Sequence, residues 1–238
     1  MQTDSPLRTS SLLASLGWLD HAFLPAGSAP PDEAACGHQR HSPTVVMAEE
    51  AFPRKACEAD GVIATNMRPV AVYTADCLPV LIADTRHHQV AAVHAGLKGA
   101  LAGVLQQAVR RLCESGATPD SLVAAIGPAI APCCYELGEE MLTVFAANPR
   151  VTAPRWSATQ PVNPRAIRPQ AQATTAGIWF DLPALGRQML LDMKIPAAQI
   201  DLLPVCTYCQ AEPRSSYRRN THFADGYALR YSWIQRRR

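Results

Sequence analysis

The chain has 238 residues, 48% of them hydrophobic and 18% charged, and its formal net charge is +2. These values are typical of a globular protein with a sizeable core, and so small a net charge argues against a nucleic-acid partner. No apolar run approaches the roughly 20 residues that cross a bilayer, and residues 1–20 lack the basic start and long apolar core of a signal peptide. We therefore expect no membrane partner and a cytoplasmic location.

Apolar runs and turn residues predict the elements in chain order. A short helix or strand and a loose loop are expected over residues 1–35. Strands are then predicted at 44–47, 58–63, 70–73, 78–83, 89–93, 122–127, 201–205 and 228–234, and helices at 100–114, at 139–147 and after Asp181. Strands that cluster at 44–94 without intervening helices favour a mixed sheet, and hence an α+β fold, over a doubly wound sheet.

Two reactive side chains lie at the edges of neighbouring predicted strands. Cys77 precedes the strand at 78–83, and His94 follows the strand at 89–93. Lys98 comes next between two glycines, just before the helix at 100–114. Such a corner can bind a metal, activate a nucleophile or hold an anion. On these residues alone, the alternative is a buried apolar cysteine and a purely structural histidine.

The eight cysteines also bear on metal binding. Without an export signal, reduced thiols or metal ligands are favoured over disulfides. Cys206 and Cys209 form a CxxC pair, but no second CxxC or pair of histidines lies nearby in the sequence. Cys133 and Cys134 are adjacent and are not expected to chelate one ion together. The sequence therefore argues against a separate structural zinc site, and His38 and His41 remain as loop candidates for ligands.

A segment rich in proline and arginine lies in the second half of the chain. Residues 141–180 contain no Asp or Glu, but they include Arg150, Arg155, Arg165 and Arg168 among five prolines. We expect an irregular insertion that could attract anions, with a solvated loop that binds nothing specific as the alternative. Nucleotide-binding glycine motifs and the GxSxG nucleophile motif are absent from the sequence.

Four motifs in order, TADCLPVLIAD, VAAVHAGLKG, AIGPAIAPCCYELG and CTYCQAEPRSSYRR, resemble the YfiH-type family. Its members are variously named multicopper polyphenol oxidase, laccase-domain protein, purine nucleoside phosphorylase and peptidoglycan editing factor. The resemblance runs from about Gly37 to Ile234. It implies an α+β fold of stacked mixed sheets flanked by helices, with a variable segment at 1–36 and a single domain at 37–238 that carries the insertion near 149–177.

The resemblance also implies a metal site. His41 corresponds to the first histidine of the family, Cys77 to the cysteine of TADC and His94 to the histidine of HAG. With three protein ligands, a zinc ion keeps a fourth position for water or substrate, as catalytic sites do. Copper is the alternative metal. Asp76, Lys98 and Arg218 occupy matched positions suited to binding substrate or phosphate.

This chain departs from the family pattern at several positions. The family usually has Trp and Arg where Leu97 and Lys98 stand here, and Gly where Ser42 stands. The Arg-Gly-Gly and Asn-Leu-Gly stretches that contribute to the family's substrate pocket have no clear counterpart before Gly37. These departures indicate a different substrate preference or a lower activity.

The leading functional hypothesis is a zinc-dependent purine nucleoside phosphorylase acting on adenosine, inosine or methylthioadenosine, with adenosine deamination at the same site. A purine nucleoside and phosphate are then the binding partners. One alternative is a hydrolase that edits peptidoglycan precursors, with Cys77 as nucleophile and His94 as base. Another is a metal-binding module without catalysis. Polyphenol oxidation is disfavoured, because one cysteine and two histidines with no second cluster make a poor multicopper set.

Overall fold

The computed structural model describes residues 8–237. The strands in this range are β1 (Leu19–Phe23), β2 (Val45–Met47), β3 (Gly61–Ala64), β4 (Val70–Thr74), β5 (Leu78–Asp84), β6 (Val90–Ala95), β7 (Leu122–Ile126), β8 (Glu136–Leu137), β9 (Trp156–Ser157), β10 (Ile178–Phe180), β11 (Ile200–Leu202) and β12 (Arg230–Arg236). The α-helices are α1 (Ser11–Ala14), α2 (Leu97–Ala102), α3 (Val104–Glu114), α4 (Glu140–Ala147), α5 (Leu182–Asp192) and α6 (Tyr217–Phe223).

These strands form three sheets. The largest has the order β11-β7-β5-β6-β3-β2, with parallel pairing at its two outer pairs and antiparallel pairing between them. The second sheet, β1-β12-β4, is antiparallel, and the third, β8-β10-β9, is small. The predicted α+β fold of stacked mixed sheets flanked by helices is confirmed.

The central strands β5 and β6 are buried on both faces, which explains their continuous apolar sequence. Val80 and Ile82 pack with helices α3 and α5 in one core, whereas Leu81 and Ala83 pack against the second sheet in another. Side chains alternate between the faces of a strand, so a strand covered on both sides has no polar face. The ends of these two strands carry Cys77 and His94.

The helix predicted at 100–114 consists of two helices. Its N-terminal part starts earlier, at Leu97, and ends at Gly103, whose φ of +95° is left-handed. Only glycine adopts this conformation readily, so α3 starts afresh at Val104. The break places Lys98 on a short helix that begins directly after the His94 strand.

Helix α6 was not predicted. Ser216 caps it by accepting a hydrogen bond from the backbone N–H of Arg219 at 3.0 Å. None of its residues is buried, so its sequence carries no apolar stripe from which a helix is predicted.

Residues 8–36, within the segment predicted to be variable, are part of the core. Strand β1 pairs with β12, and Leu13, Leu19 and Phe23 are buried. Residues 1–7 lie outside the described range, and the boundary at residue 37 stays a prediction. No helix between residues 8 and 237 is long and apolar enough to span a membrane.

The segment near 149–177 is irregular, as predicted, apart from β9. It is held at its end by Glu136, whose carboxylate accepts from the backbone N–H and the hydroxyl of both Thr174 and Thr175. It is held in its middle by Gln160 and Gln170, which both donate to the carbonyl of Cys133.

Candidate metal centre

The structure brings the three predicted metal ligands together. One ligand atom each from His41, Cys77 and His94 lies within 4.8 Å of the others. The Sγ of Cys77 is 3.6 Å from Nε2 of His41, and the two imidazole rings meet edge to face at 4.7 Å between centroids. His94 reaches this point because antiparallel pairing places it opposite Pro79, close to Cys77 at the start of β5. The other loop candidate, His38, is not part of the cluster.

Asp60 organises the centre, although no motif or spacing in the chain singles it out. Its Oδ1 lies 2.7 Å from Nδ1 of His94 and accepts the backbone N–H of His41 at 2.9 Å. Its Oδ2 accepts the backbone N–H groups of Arg40 and Ser42 and the hydroxyl of Ser42. One buried carboxylate therefore fixes two of the three ligands, as carboxylates beside metal-bound histidines do.

The protonation of Asp60 follows from these contacts. Burial alone would raise its pKa, but the hydrogen bonds from His94 and from the Arg40–Ser42 loop hold the pKa well below its usual range. The carboxylate is therefore ionised and orients His94 with a proton on Nδ1. Nε2 of His94 is left as the ligand atom.

The loop that carries His41 is strained at the ligand itself. His41 has a φ of +60°, a left-handed conformation that few residues other than glycine adopt. Besides Asp60, the side chain of Gln39 holds the loop through hydrogen bonds with both the N–H and the carbonyl of Tyr73. Strained residues held in this way cluster at functional sites.

Gly96 leaves the space that the ligands occupy. A Cβ atom at this position would lie 2.6 Å from Sγ of Cys77 and 2.6 Å from Cδ2 of His41. Its φ of −65° is open to any residue, so the requirement for glycine here comes from the ligands and not from the backbone.

The donor set fits a divalent metal ion. Around tetrahedral zinc, with bonds of about 2.3 Å to sulfur and about 2.0 Å to nitrogen, a sulfur and a nitrogen ligand stand about 3.6 Å apart. The Cys77–His41 separation of 3.6 Å matches this value. Two imidazoles and a thiolate are also the donor set of some copper sites, so these ligands are compatible with zinc and with copper.

The pKa values of two ligands also depend on their surroundings. Burial, together with the nearby carboxylates of Asp76 and Asp60, raises the pKa of Cys77 to about 12. Burial lowers the pKa of His41, as do the neighbouring His94 and Lys98. His41 is thus a neutral imidazole able to bind a metal, whereas Cys77 needs a nearby cation to become a thiolate.

A cavity of about 360 Å³ opens onto the three ligands. Its mouth carries Tyr217 and Tyr227, whose rings meet edge to face at 5.1 Å and remain substantially exposed. Its other lining residues are Gln39, Tyr73, Thr74, Ala75, Asp76 and Leu229. The cavity has the size of a small-molecule site, with apolar and aromatic walls and polar groups at the metal ligands.

The three residues predicted to bind substrate lie in different settings. Asp76 lines the cavity, but its carboxylate already accepts from Thr207 Oγ1 at 2.6 Å and from the backbone N–H of Arg218 at 2.7 Å. The Arg218 guanidinium donates to the carbonyl of Glu136 and lies over Tyr135. Lys98 is exposed on α2. Contact of any of them with a substrate stays a prediction.

The structure brings together four of the other cysteines, which the sequence gives no reason to place side by side. Cys133, Cys134, Cys206 and Cys209 form a second cluster, with sulfur atoms within 4.8 Å of one another. Cys133 and Cys134 lie in a turn, where successive side chains need not point apart as they do in a strand. The loop 128–135 lies beside Cys206 through the parallel bridge between Ala129 and Cys206, a contact between distant segments that spacing cannot predict.

Comparison with known proteins places these features in a family. Residues 21–235 match the family model described as multi-copper polyphenol oxidoreductase laccase. Purine nucleoside phosphorylase Cgl2154/cg2365 of Corynebacterium glutamicum is 34% identical over 193 residues, which are 79% of this chain and 70% of that protein. Adenosine deaminase RL5 of an unknown prokaryotic organism is 29% identical over 197 residues, again 79% and 70% of the two chains.

Solved structures share the fold of this chain. The crystal structure of the Bacillus licheniformis hypothetical protein YfiH has a TM-score of 0.73 and 21% identity, and covers 98% of this chain and 99% of its own. Neisseria meningitidis protein NMB0706 has a TM-score of 0.65 and 27% identity, with 86% and 75% covered. One sequence relative, a purine nucleoside phosphorylase of Bacteroides thetaiotaomicron, is 33% identical to this chain, but the match spans only 51% of that relative's own length. By the match over residues 21–235, the chain belongs to the multi-copper polyphenol oxidoreductase laccase family, in which YfiH proteins are its structural neighbours.

Proposed function

We propose that this protein is a zinc-dependent purine nucleoside phosphorylase of broad specificity, which accepts adenosine, inosine and methylthioadenosine and also deaminates adenosine. The observation that carries the proposal is the centre formed by His41, Cys77 and His94 on the wall of a cavity of small-molecule size. Relatives named purine nucleoside phosphorylase and adenosine deaminase support this class of reaction.

His41, Cys77 and His94 would hold the ion. With three protein ligands, zinc supplies a Lewis acid with a fourth position for a substrate group or water. Asp60 keeps the Nδ1 proton of His94 in place, so Nε2 would be the atom that binds the ion. Cys77 would bind as a thiolate and release its proton, because its raised pKa keeps the thiol neutral without a cation.

The cavity mouth suits a purine base. Tyr217 and Tyr227 present aromatic faces and edges on which a flat heterocycle can stack, and Leu229 adds an apolar surface beside them. Tyrosine hydroxyls at the same mouth can hydrogen-bond the polar edge of the base. Recognition mainly through stacking is consistent with a broad choice of purine nucleosides.

In phosphorolysis, inorganic phosphate attacks the anomeric carbon of the ribose. A carbon–oxygen bond forms while the bond from that carbon to the purine nitrogen breaks, and the purine leaves with the electron pair and takes up a proton. The attacking phosphate is anionic and needs cations around it. We assign this role to Arg218 and Lys98: Arg218 uses one of its five N–H donors on Glu136, and Lys98 is exposed next to the centre.

The pKa of Cys77 bears on the alternative of a peptidoglycan-editing hydrolase. A cysteine nucleophile has to be a thiolate, and burial raises the pKa of Cys77 to about 12. This environment favours Cys77 as a metal ligand over Cys77 as a free nucleophile. Polyphenol oxidation is disfavoured partly because the sequence shows no second cluster of metal ligands. The structure does contain a second cluster, formed by four cysteines, but all of its donors are thiols.

The test is base release from inosine and adenosine by the zinc-loaded full chain, with and without phosphate. We expect release that requires phosphate, yields ribose 1-phosphate and disappears in Cys77→Ala. Cys36→Ala is the control, because Cys36 is a buried free cysteine that lies outside both cysteine-containing clusters. Undiminished release by metal-free Cys77→Ala contradicts the proposal.

Three other outcomes point to the alternatives. Metal binding without turnover of any nucleoside indicates a module that has lost catalysis. Cleavage of peptidoglycan precursors without metal, dependent on Cys77 and His94, indicates the hydrolase. Phenol oxidation by a copper-loaded form with an intense visible absorption band indicates the oxidase.

A further inference from the structure

We propose that Cys133, Cys134, Cys206 and Cys209 bind a second zinc ion in a closed, structural site that is separate from the His41–Cys77–His94 centre. The site joins the loop 128–135 to the loop 203–211 and supports the irregular segment 149–177 that lies against both. Its role is to fix a region that has little regular structure of its own.

The sulfur geometry suits one shared ion. In a tetrahedral zinc–thiolate site with bonds of about 2.3 Å, each pair of sulfurs stands about 3.8 Å apart. The Sγ atoms of Cys133 and Cys209 are 3.8 Å apart, and all four sulfurs lie within 4.8 Å of one another. The four ligands arise as two close pairs in the chain, each in a turn, an arrangement common in structural zinc sites.

The cluster replaces a hydrophobic core in this part of the molecule. All four cysteines are almost wholly buried. Within residues 8–237, the other buried apolar members of this core are Ile130, Ala171, Trp179 and Tyr208, so thiols make up half of its eight buried residues. So small an apolar core gives little stabilisation, and small folds commonly add a metal where the core is insufficient.

Protein groups next to the cluster suit the negative charge of a zinc–tetrathiolate site. Asn163 Nδ2 donates to Sγ of Cys209 at 3.3 Å. Arg168 donates from its terminal nitrogen to the carbonyl of Thr207, inside the CxxC turn. The Nε of Arg168 is buried and has no hydrogen-bond partner among the described residues. A nearby cation and an N–H donor to sulfur are the outer contacts expected around a thiolate-bound metal.

Disulfides explain the cluster less well. A disulfide brings two sulfurs to about 2.05 Å, which divides four cysteines into two bonded pairs. All eight cysteines, which lie within the described range, are free thiols. The distances join the four sulfurs into one group rather than two pairs, as expected when all four share one ligand.

The second site is connected to the first through Asp76. Thr207, between the two cysteines of the CxxC turn, donates to Asp76 Oδ1 at 2.6 Å. The N–H of Ile130, close before Cys133 in the chain, donates to the Asp76 carbonyl at 2.9 Å. Asp76 directly precedes the ligand Cys77, so the four-cysteine site positions one wall of the candidate active site.

The first test is metal content of the full chain, measured by mass spectrometry after dialysis against metal-free buffer. We expect about two zinc ions per chain in the wild type and about one in Cys77→Ala/His94→Ala. Cys206→Ser/Cys209→Ser should lose the other, and Cys36→Ala, a buried cysteine outside the cluster, should keep both. A wild type with one ion that disappears in Cys77→Ala/His94→Ala overturns the proposal.

A second measurement leaves the four cysteines intact, so it does not depend on whether their variants fold. X-ray absorption at the zinc edge of Cys77→Ala/His94→Ala should show only sulfur neighbours, at about 2.3 Å. Nitrogen or oxygen neighbours in the shell, or absence of zinc from this variant, contradicts a tetrathiolate site.

Discussion

At the scale of single residues, the candidate active site depends on a carboxylate that binds no substrate. Asp60 connects His94 with the His41 loop through five hydrogen bonds to protein groups. It thereby sets both the tautomer of one ligand and the strained backbone of the other. Removing its charge should weaken the centre without removing any ligand atom.

Asp60→Asn should therefore reduce zinc affinity at this centre by about 10–100-fold, the usual cost of losing such an outer contact. The measurement is competition with a chromophoric chelator. Asp84→Asn is the matched control, because Asp84 is equally buried and also bonds a histidine, His87 at 2.9 Å, away from the centre. Equal zinc affinity of the two variants would rule out a positioning role for Asp60.

Gly96 allows a second test at this scale. In Gly96→Ala the added Cβ meets Cys77 and His41 at 2.6 Å, so the ligands must move apart and metal binding at the His41–Cys77–His94 centre should be lost. The backbone at this position accepts alanine, so circular dichroism should be unchanged. Gly99→Ala, in the same helix, has no contact shorter than 3.6 Å and should retain the metal and stabilise the helix by up to about 1 kcal/mol. Full zinc occupancy in Gly96→Ala would show that the ligand geometry is wrong.

At the scale of elements, the irregular segment 149–177 is ordered by a few polar anchors. Glu136 accepts four hydrogen bonds from Thr174 and Thr175, and a glutamine in its place has only one acceptor oxygen. Glu136→Gln should therefore loosen the segment and speed tryptic cleavage at Arg150, Arg155 and Arg165. Glu140→Gln, on the exposed start of α4, should be cleaved at the wild-type rate. An unchanged cleavage rate in Glu136→Gln would mean that other contacts hold the segment.

The turn between β5 and β6 gives a prediction about pH. Burial would raise the pKa of Asp84, but hydrogen bonds from Ser121, Arg86 and His87 hold it below its ordinary value. A carboxyl with a lower pKa in the folded state stabilises the fold above its unfolded pKa of about 3.9, and this contribution is lost as the pH falls through the folded pKa. Asp84→Asn should thus lower the free energy of unfolding by about 1–3 kcal/mol at neutral pH, and by less in acid. Urea unfolding across this range measures it, and a pH-independent difference would contradict the assignment.

At the scale of the whole molecule, the sequence predicts single strands and short motifs, but it does not predict contacts between segments that are far apart in the chain. The apolar runs of β5 and β6 and the motifs around His41, Cys77 and His94 are visible in the chain itself. Asp60 is 34 positions from His94, and only the antiparallel register of β3 and β6 brings the two together. Cys133 is 76 positions from Cys209, and spacing along the chain does not predict that their sulfurs meet. The adjacency of Cys133 and Cys134 in the sequence argues against a shared ion, although their side chains lie in one cluster.

The two proposed metal sites have different structural settings and, on this account, different roles. The central sheet holds the His41–Cys77–His94 centre at the ends of β5 and β6, where close packing gives rigidity. The wall of the cavity around Asp76 is made of loops, and the four-cysteine site would supply the rigidity that those loops lack. Loss of the second metal should therefore loosen the wall around Asp76 while leaving the sheet intact.

The most direct test of the central claim is a zinc titration of metal-free full chain, with phosphate-dependent base release from inosine followed at each step. The account predicts that activity appears as the His41–Cys77–His94 centre fills, and that Cys77→Ala stays inactive at any zinc concentration although it still binds zinc at the four cysteines. Activity that is independent of zinc and unaffected by Cys77→Ala would contradict a catalytic metal centre at these three residues.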